Sequence, residues 1–421
     1  MSSFFSIKKI AVLGYFRRFD CRGASYETVK AVLSALQRKG AAVLFVILCI
    51  LVPAGKGWAE YLQFGEDLFV NLPASWQVQG IEENKFSAVN QAEEAYFLLK
   101  QHAGGQFQDV NQMHSTVAAE LGARVYAGSS YSHSGMDAHL SQVEFQQQDR
   151  RFQGYLLCIE SHRIDVVVVG FALKGKLSAY QDTLFSAMDS LAVGDRGLVE
   201  PGPISQSVSP YPAQDVERFT IQFEGREVPL ALSNAAIDAT QDVIEREARV
   251  LSVYGGTEYA EAAWKRYYRL VYRDLFVRSR PLYSALQTYL PPQDHSPEEI
   301  AAALLAWVQG FQYERLESLS DCLSPLRAAV ESRGDCDSRG LLYTILLHHY
   351  QIDAILMVSS VYKHSMAAVA VDGEGARFTL NEKRYLVAET TDQVELGLID
   401  QAMSNTNAWI GIDFINPRIT D

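Results

Sequence analysis

Cys336 lies in Ser332-Arg333-Gly334-Asp335-Cys336-Asp337-Ser338-Arg339-Gly340, where a polar stretch gives way to the apolar run Leu341 to Leu347. Leu341, Ile345 and Leu346 recur at helical spacing up to Tyr350, which predicts a helix with one apolar face and Cys336 in its first turn. Unpaired backbone N–H groups and the positive end of the helix dipole stabilise a thiolate at that position and make it a nucleophile. The same N–H groups can receive a developing oxyanion. Asp335 and Asp337 oppose a thiolate and read as helix caps, so the chemistry needs a histidine partner.

His348 and His349 follow twelve and thirteen residues along the same helix. At helical rise they lie roughly 18 Å or more from the sulfur and cannot reach it. His364 is the better candidate. It follows the strand-like Ile355 to Lys363 and heads the run Ser365 to Val371, which a strand could lay beside the cysteine helix. Ala376 to Leu380, the turn Asn381-Glu382-Lys383 and Arg384 to Thr391 then read as a hairpin. Glu389 closes its second strand, adjacent to His364 if successive hairpins pair, and a carboxylate there could hold the imidazole tautomer. Glu382 in the turn and Asp392 beyond the strand are weaker choices. The structural alternative for Cys336 is a disulfide to Cys322 in an oxidising compartment.

This order resembles the transglutaminase-like cysteine hydrolase superfamily: Cys in Arg333-Gly334-Asp335-Cys336-Asp337-Ser338, His in Lys363-His364-Ser365-Met366, and an acid closing Tyr385 to Thr391. The helix ending at Ala306 to Glu314 is similar to the element before the catalytic cysteine in that family. The likeness covers residues 295–421 well, and 216–294 only as a helical addition. It implies a papain-like fold with Cys336 as nucleophile, His364 as general base and acid, and Glu389 as orienting carboxylate. It also implies attack on a peptide or glutamine-type amide through an acyl-enzyme, with hydrolysis favoured over amine transfer. Ser365-Met366 stands where many members have a small residue and tryptophan, and the acid is glutamate where aspartate is commoner; substrate and geometry are what these departures touch. Gln312 and Tyr313 are side chains the upstream element offers to an oxyanion, and the sequence assigns neither. The other function class is a binding or assembly module of the cell envelope in which this domain has lost turnover.

The elements that position this constellation belong to a chain of 421 residues, long enough for more than one core. Residues 1–59 carry nine Lys or Arg and two Asp or Glu, a charge of +7, so the remainder carries −13 − 7 = −20. That disfavours nucleic acid as a partner, since phosphate contacts need a basic face. The basic leader, the apolar run Ala41 to Ala54 and Gly55 to Ala59 have the order of a secretory signal. They predict an exported protein, periplasmic or extracellular, with a membrane anchor through residues 41–59 as the alternative. Beyond them only Cys158, Cys322 and Cys336 remain, without CxxC spacing, so neither metal nor cofactor is expected.

Residues 60–195 alternate apolar and polar residues over several stretches, with the β-branched run Val166 to Val169 and an amphipathic helix from Lys176 to Val193. Phe69-Val70, Leu72-Pro73 and Trp76, the antiparallel strands and the closing helix resemble the PsbP-like fold. His114, His133 and His139 read as surface polar residues, and Cys158 as a buried small hydrophobe. Residues 196–215, with Pro201, Pro203, Pro210 and Pro212, read as an extended linker. Residues 216–421 follow as the transglutaminase-like domain, with a hairpin at Arg218 to Leu232, helices over 234–253 and 258–289, and a capping box at Ser296 to Glu299. The fold class expected is α+β throughout.

Overall fold

The computed structural model describes residues 61–161 and 163–416 of the 421-residue chain. The leader, signal or membrane anchor expected within residues 1–59 lies outside the described residues. Among these, no helix is long and apolar enough to cross a membrane.

The fold is α+β. Seven antiparallel strands form the first large sheet, in the spatial order Gln77–Glu82, Lys85–Val89, Ala95–Ala103, Ile164–Leu173, Arg150–Glu160, Met136–Gln147, Arg124–His133. Successive side chains of a strand point to opposite faces. Leu157, Ile159, Val166 and Val168 pack with Leu184, Ala187 and Met188 of the helix Leu177–Asp189. On the other face, Ser141, paired with Leu156, meets His114 of the helix Val110–Glu120. His114 and His133 are therefore buried, correcting their expected place on the surface, while Cys158 is fully enclosed as expected.

Of the extended linker expected over 196–215, the part up to residue 209 is helical or packed, while 210–215 runs without helix or strand and largely exposed. Pro203 takes the first position of the helix Pro203–Val208, where its missing N–H costs nothing. Leu198, Val199, Ile204 and Gln206 are buried. Arg273, on the helix Ala260–Arg278, donates to four main-chain oxygens of this junction: Gly197 at 2.9 Å, Glu200 at 2.8 Å, Asp189 at 2.9 Å and Leu191 at 2.7 Å. Arg246 bridges Asp189 at 2.5 Å and Glu247 at 2.8 Å. The described residues accordingly form one compact unit.

The hairpin Glu217–Phe223 and Arg226–Leu232 turns through Glu224 and Gly225, both with positive φ. The helix Asn234–Ser252 follows. The single helix expected over 258–289 is two, Ala260–Arg278 and Arg280–Gln287, because Pro281 cannot supply the N–H that continuation requires. Helix Pro297–Gln309 starts in the expected capping box, Glu299 N donating to Ser296 Oγ at 3.2 Å and Ser296 N to Glu299 Oε2 at 2.8 Å.

A second sheet has five strands, all antiparallel, in the order Arg377–Leu380, Lys383–Ala388, His364–Val369, Ala354–Ser359, Ile410–Ile412. Leu356, Val358, Ala367 and Val369 face the core that holds the helix Cys336–His349, whereas Met357, Met366, Ala368 and Val387 pack with Phe378 and Trp409 on the other side. The cysteine helix was expected to have one apolar face, but every residue in it except Asp337 is buried. Sheet, hairpin and neighbouring helices surround it. Gly340 allows the approach to the sheet: a Cβ there would stand 2.8 Å from Leu356 Cδ1.

Candidate active site

Cys336 is the first residue of its helix, and Asp335 is the N-cap, its Oδ1 accepting from Ser338 N at 2.9 Å and from the Ser338 hydroxyl. Burial, with the negative charge of Asp337 added, pushes the Asp335 carboxyl up to about 7. Asp337 does not cap; its Oδ1 accepts from Tyr268 O–H at 2.8 Å. Cys158, Cys322 and Cys336 are free thiols, so the Cys322–Cys336 disulfide is not formed. Cys322 lies beneath the helix start with its sulfur 3.7 Å from Ser338 Oγ.

The chain before Cys336 is held by a short parallel pairing of Gln312–Tyr313 with Arg333–Gly334. Arg339, one turn into the helix and 1% exposed, ties this pairing to the far side of the site. Its guanidinium donates to Gly334 O at 3.0 Å and Phe311 O at 2.6 Å, and reaches Thr390 O at 3.5 Å. It also sits over the Tyr313 ring at 5.6 Å. Tyr313 and Gln312, the side chains considered for an oxyanion, are both exposed, and the Tyr313 hydroxyl accepts from Arg315 Nε at 2.9 Å.

His364 opens its strand directly after Lys363, whose φ of 51° reverses the chain. Its Nε2 donates to Glu389 Oε2 at 2.8 Å. That leaves Nδ1 as the ring nitrogen not engaged by Glu389, and Cys336 is the other neighbour that acts on the ring. Burial works against a charged ring, but the hydrogen bonds to Cys336 and Glu389 and their negative charge prevail, and the imidazole is pushed up to about 10. Glu389 is itself fixed. Its Oε1 accepts from Thr391 N at 2.8 Å and Thr391 Oγ1 at 2.6 Å, and its carbonyl accepts from Gln309 Nε2 at 2.7 Å. Burial raises the carboxyl, yet the bonds to His364 and Thr391 outweigh it and hold Glu389 below the usual carboxylate range.

The structure thus brings Cys336, His364 and Glu389 together and keeps His348 and His349 away. Those two are buried and occupied: His348 pairs with Tyr272 O–H at 2.8 Å and Ala354 O at 2.9 Å, and His349 with Ser279 Oγ at 2.9 Å. Sequence reasoning missed Arg339, Gln309, Arg315 and Trp409. Trp409 packs its ring 6.2 Å from His364, at 69°. Arg315 reaches Cys336 Sγ at 3.9 Å through Nη2. Arg339 falls at i+3 from Cys336, on the neighbouring turn of the same helix, and this spacing was a usable signal. For the other three the sequence holds none, because they arrive from separate elements.

Asp335, Cys336 and Asp337 place one ligand atom each within 4.8 Å of one another. Ser338 donates to Asp335 Oδ1 and Tyr268 to Asp337 Oδ1, while Asp335 Oδ2 is buried without a hydrogen-bond partner among the described residues.

No known protein family matches this chain, and no curated protein does. Among solved structures, cyanobacterial PsbP (CyanoP) from Synechocystis is similar over 33% of this chain and 95% of its own, with 7% identity and a TM-score of 0.27. LpqN of Mycobacterium tuberculosis, involved in cell envelope biogenesis, is similar over 30% of this chain and 83% of its own, at 10% identity and a TM-score of 0.25. A Bacteroides thetaiotaomicron protein is similar over 73% of this chain and 84% of its own, at 9% identity and a TM-score of 0.24. PsbP-like proteins are thus weak neighbours over a third of the chain. At these scores the similarity carries no functional meaning.

Proposed function

We propose that the protein is an exported cysteine hydrolase of transglutaminase-like type, acting on peptide or glutamine-type amides. The observation that carries this reading is the connected line from Cys336 to His364 to Glu389, closed by the 2.8 Å bond from Nε2 to Oε2. A thiolate at the helix start would attack the amide carbonyl, forming the C–S bond. The tetrahedral oxygen would be met by first-turn N–H groups. His364 Nδ1, protonated, would pass its proton to the leaving amine as the C–N bond breaks. Water, deprotonated by the neutral ring, would then release the acid and restore the thiol. Glu389, bonded to Nε2, would leave Nδ1 for the sulfur throughout. No cofactor takes part in this scheme, and Cys336, His364 and Glu389 are its catalytic residues. Export rests on the basic leader and apolar run of residues 1–59.

A second reading, a catalytically silent envelope module, is favoured by one observation: Cys336 is 2% exposed, with Arg315 against its sulfur. Iodoacetamide separates the two. Alkylation of Cys336 at pH 6 is expected to be at least tenfold faster in the wild type than in His364→Ala, by mass spectrometry of the Cys336 peptide. Equal rates would refute the activated nucleophile. Comparing peptide termini and deamidated glutamines in envelope extracts incubated with wild type or Cys336→Ala would then identify the amide.

A further inference from the structure

The loop between Tyr313 and the helix Pro325–Glu331 carries a cation to the nucleophile, and the triad does not use it. Arg315 Nη2 stands 3.9 Å from Cys336 Sγ and 3.5 Å from Lys363 O, Nε donates to Tyr313 O–H at 2.9 Å, and Nη1 pairs with Asp321 Oδ2 at 3.2 Å. The two charged side chains of that pair are 43% and 42% exposed, whereas the sulfur they adjoin is nearly closed off. This guanidinium therefore lies between the nucleophile and solvent. Arg339, buried and directed at three main-chain carbonyls, is a scaffold; Arg315, held by an exposed ion pair and a phenol, can exchange partners at little cost, since exposed pairs are weak.

Resting on the reading of Cys336 as a nucleophile, we propose that Arg315 is a specificity-determining residue that receives a carboxylate carried by the substrate close to the scissile amide. A guanidinium fits a carboxylate through two parallel N–H bonds. An acidic substrate entering the site replaces Asp321 as the partner, so the cover opens with its charge still matched. A neutral substrate has to displace Arg315 with nothing given in return. The rest of the surroundings makes the cation necessary: Asp335 and Asp337 place oxygens within 4.8 Å of the sulfur and one another and would repel an anion unless Arg315 faced it.

Two alkylating agents of nearly equal size, iodoacetate and iodoacetamide, test this without a known substrate. The rate ratio at Cys336, divided by the ratio for free N-acetylcysteine in the same low-salt buffer, reads the preference for a carboxylate beside the sulfur. The wild type is expected to favour iodoacetate about tenfold over the free thiol, as a single charge pair at this range and partial burial would give. Arg315→Gln should bring the ratio to the free-thiol value or below it. Arg315→Lys should keep part of the preference, and it carries the comparison if the Gln variant does not fold. Asp321→Asn, which frees the guanidinium, should raise the ratio. A wild-type ratio equal to the free thiol's, or one unchanged in both Arg315 variants, would overturn the proposal. The iodoacetamide rate and its dependence on His364 report separately on the nucleophile, so failure of the specificity and failure of the chemistry are told apart.

Discussion

Two residues of the site have opposite displacements from their ordinary acidities, and together they set a pH window. His364, pushed up from 6.5 to about 10, contributes stability that is fully present below 6.5 and is lost as pH rises through about 10. Glu389, held down, contributes stability present above its ordinary 4.5 and lost as pH falls through its lowered folded value. The pair therefore stabilises most between about 4.5 and 6.5. Urea midpoints at pH 6.5 and 9.5 should show a larger alkaline loss in the wild type than in His364→Ala, whose alkaline limb lacks the histidine contribution. On the proposed chemistry, Glu389→Gln loses the charge that favours the imidazolium and sets an amide NH2 against either the His364 or the Thr391 donors, and should lower kcat/KM by about tenfold to a hundredfold with KM little changed. An unchanged kcat/KM in that variant would remove Glu389 from the mechanism.

At the scale of elements, the helix Cys336–His349 is central to the C-terminal half, and its cap is Asp335. Asp335→Ala removes the acceptor for Ser338 N and should cost about 1–2 kcal/mol in unfolding free energy. Asp335→Asn keeps an acceptor and removes a buried charge. Because the folded carboxyl is raised from 3.8 to about 7, the folded state binds more protons across that range and wild-type stability falls as pH rises through it. The Asn variant should have a flatter profile between pH 4 and 7, measured by thermal or urea midpoints, and an identical slope would show that Asp335 is not the group responsible. The helix itself was legible from its polar-to-apolar boundary, but its burial on all sides was not. A helix in the middle of a core has no polar face, and periodicity cannot reveal what surrounds it. The break at Ser279 was in principle readable from Pro281, two residues further on.

For the whole molecule, the junction between the sheet-rich first part and the rest is a buried ionic and main-chain network rather than a tether. Arg273→Ala strips four carbonyls of their donor inside the protein and should destabilise by about 3–5 kcal/mol, since the penalty is that of unpaired buried polar groups. Tyrosine and tryptophan fluorescence and far-ultraviolet circular dichroism should still trace one common transition in the wild type. Two separated transitions would mean that the two parts unfold independently despite the network. Pro and Gly between 196 and 215 suggested a linker because those residues cannot extend a sheet or helix interior, but Pro203 at a helix start and Ile204 beneath the helix Leu177–Asp189 satisfy the same local rules while packed.

Sequence alone determined the α+β class, the strand alternation, the capping box at Ser296, and the order Cys336, His364, Glu389, because each is written in local spacing and residue type. Only the tertiary structure decided which side chains surround those three residues. Arg339 is legible as a neighbour of Cys336, yet its tie to Phe311 and Thr390 requires three remote segments to meet. Gln309 and Trp409 meet Glu389 and His364 from different elements. Arg315 reaches the sulfur from a loop twenty-one residues away. Such contacts depend on how chain segments pack over long separations, and no local pattern encodes a distance between residues that meet only after the core has formed.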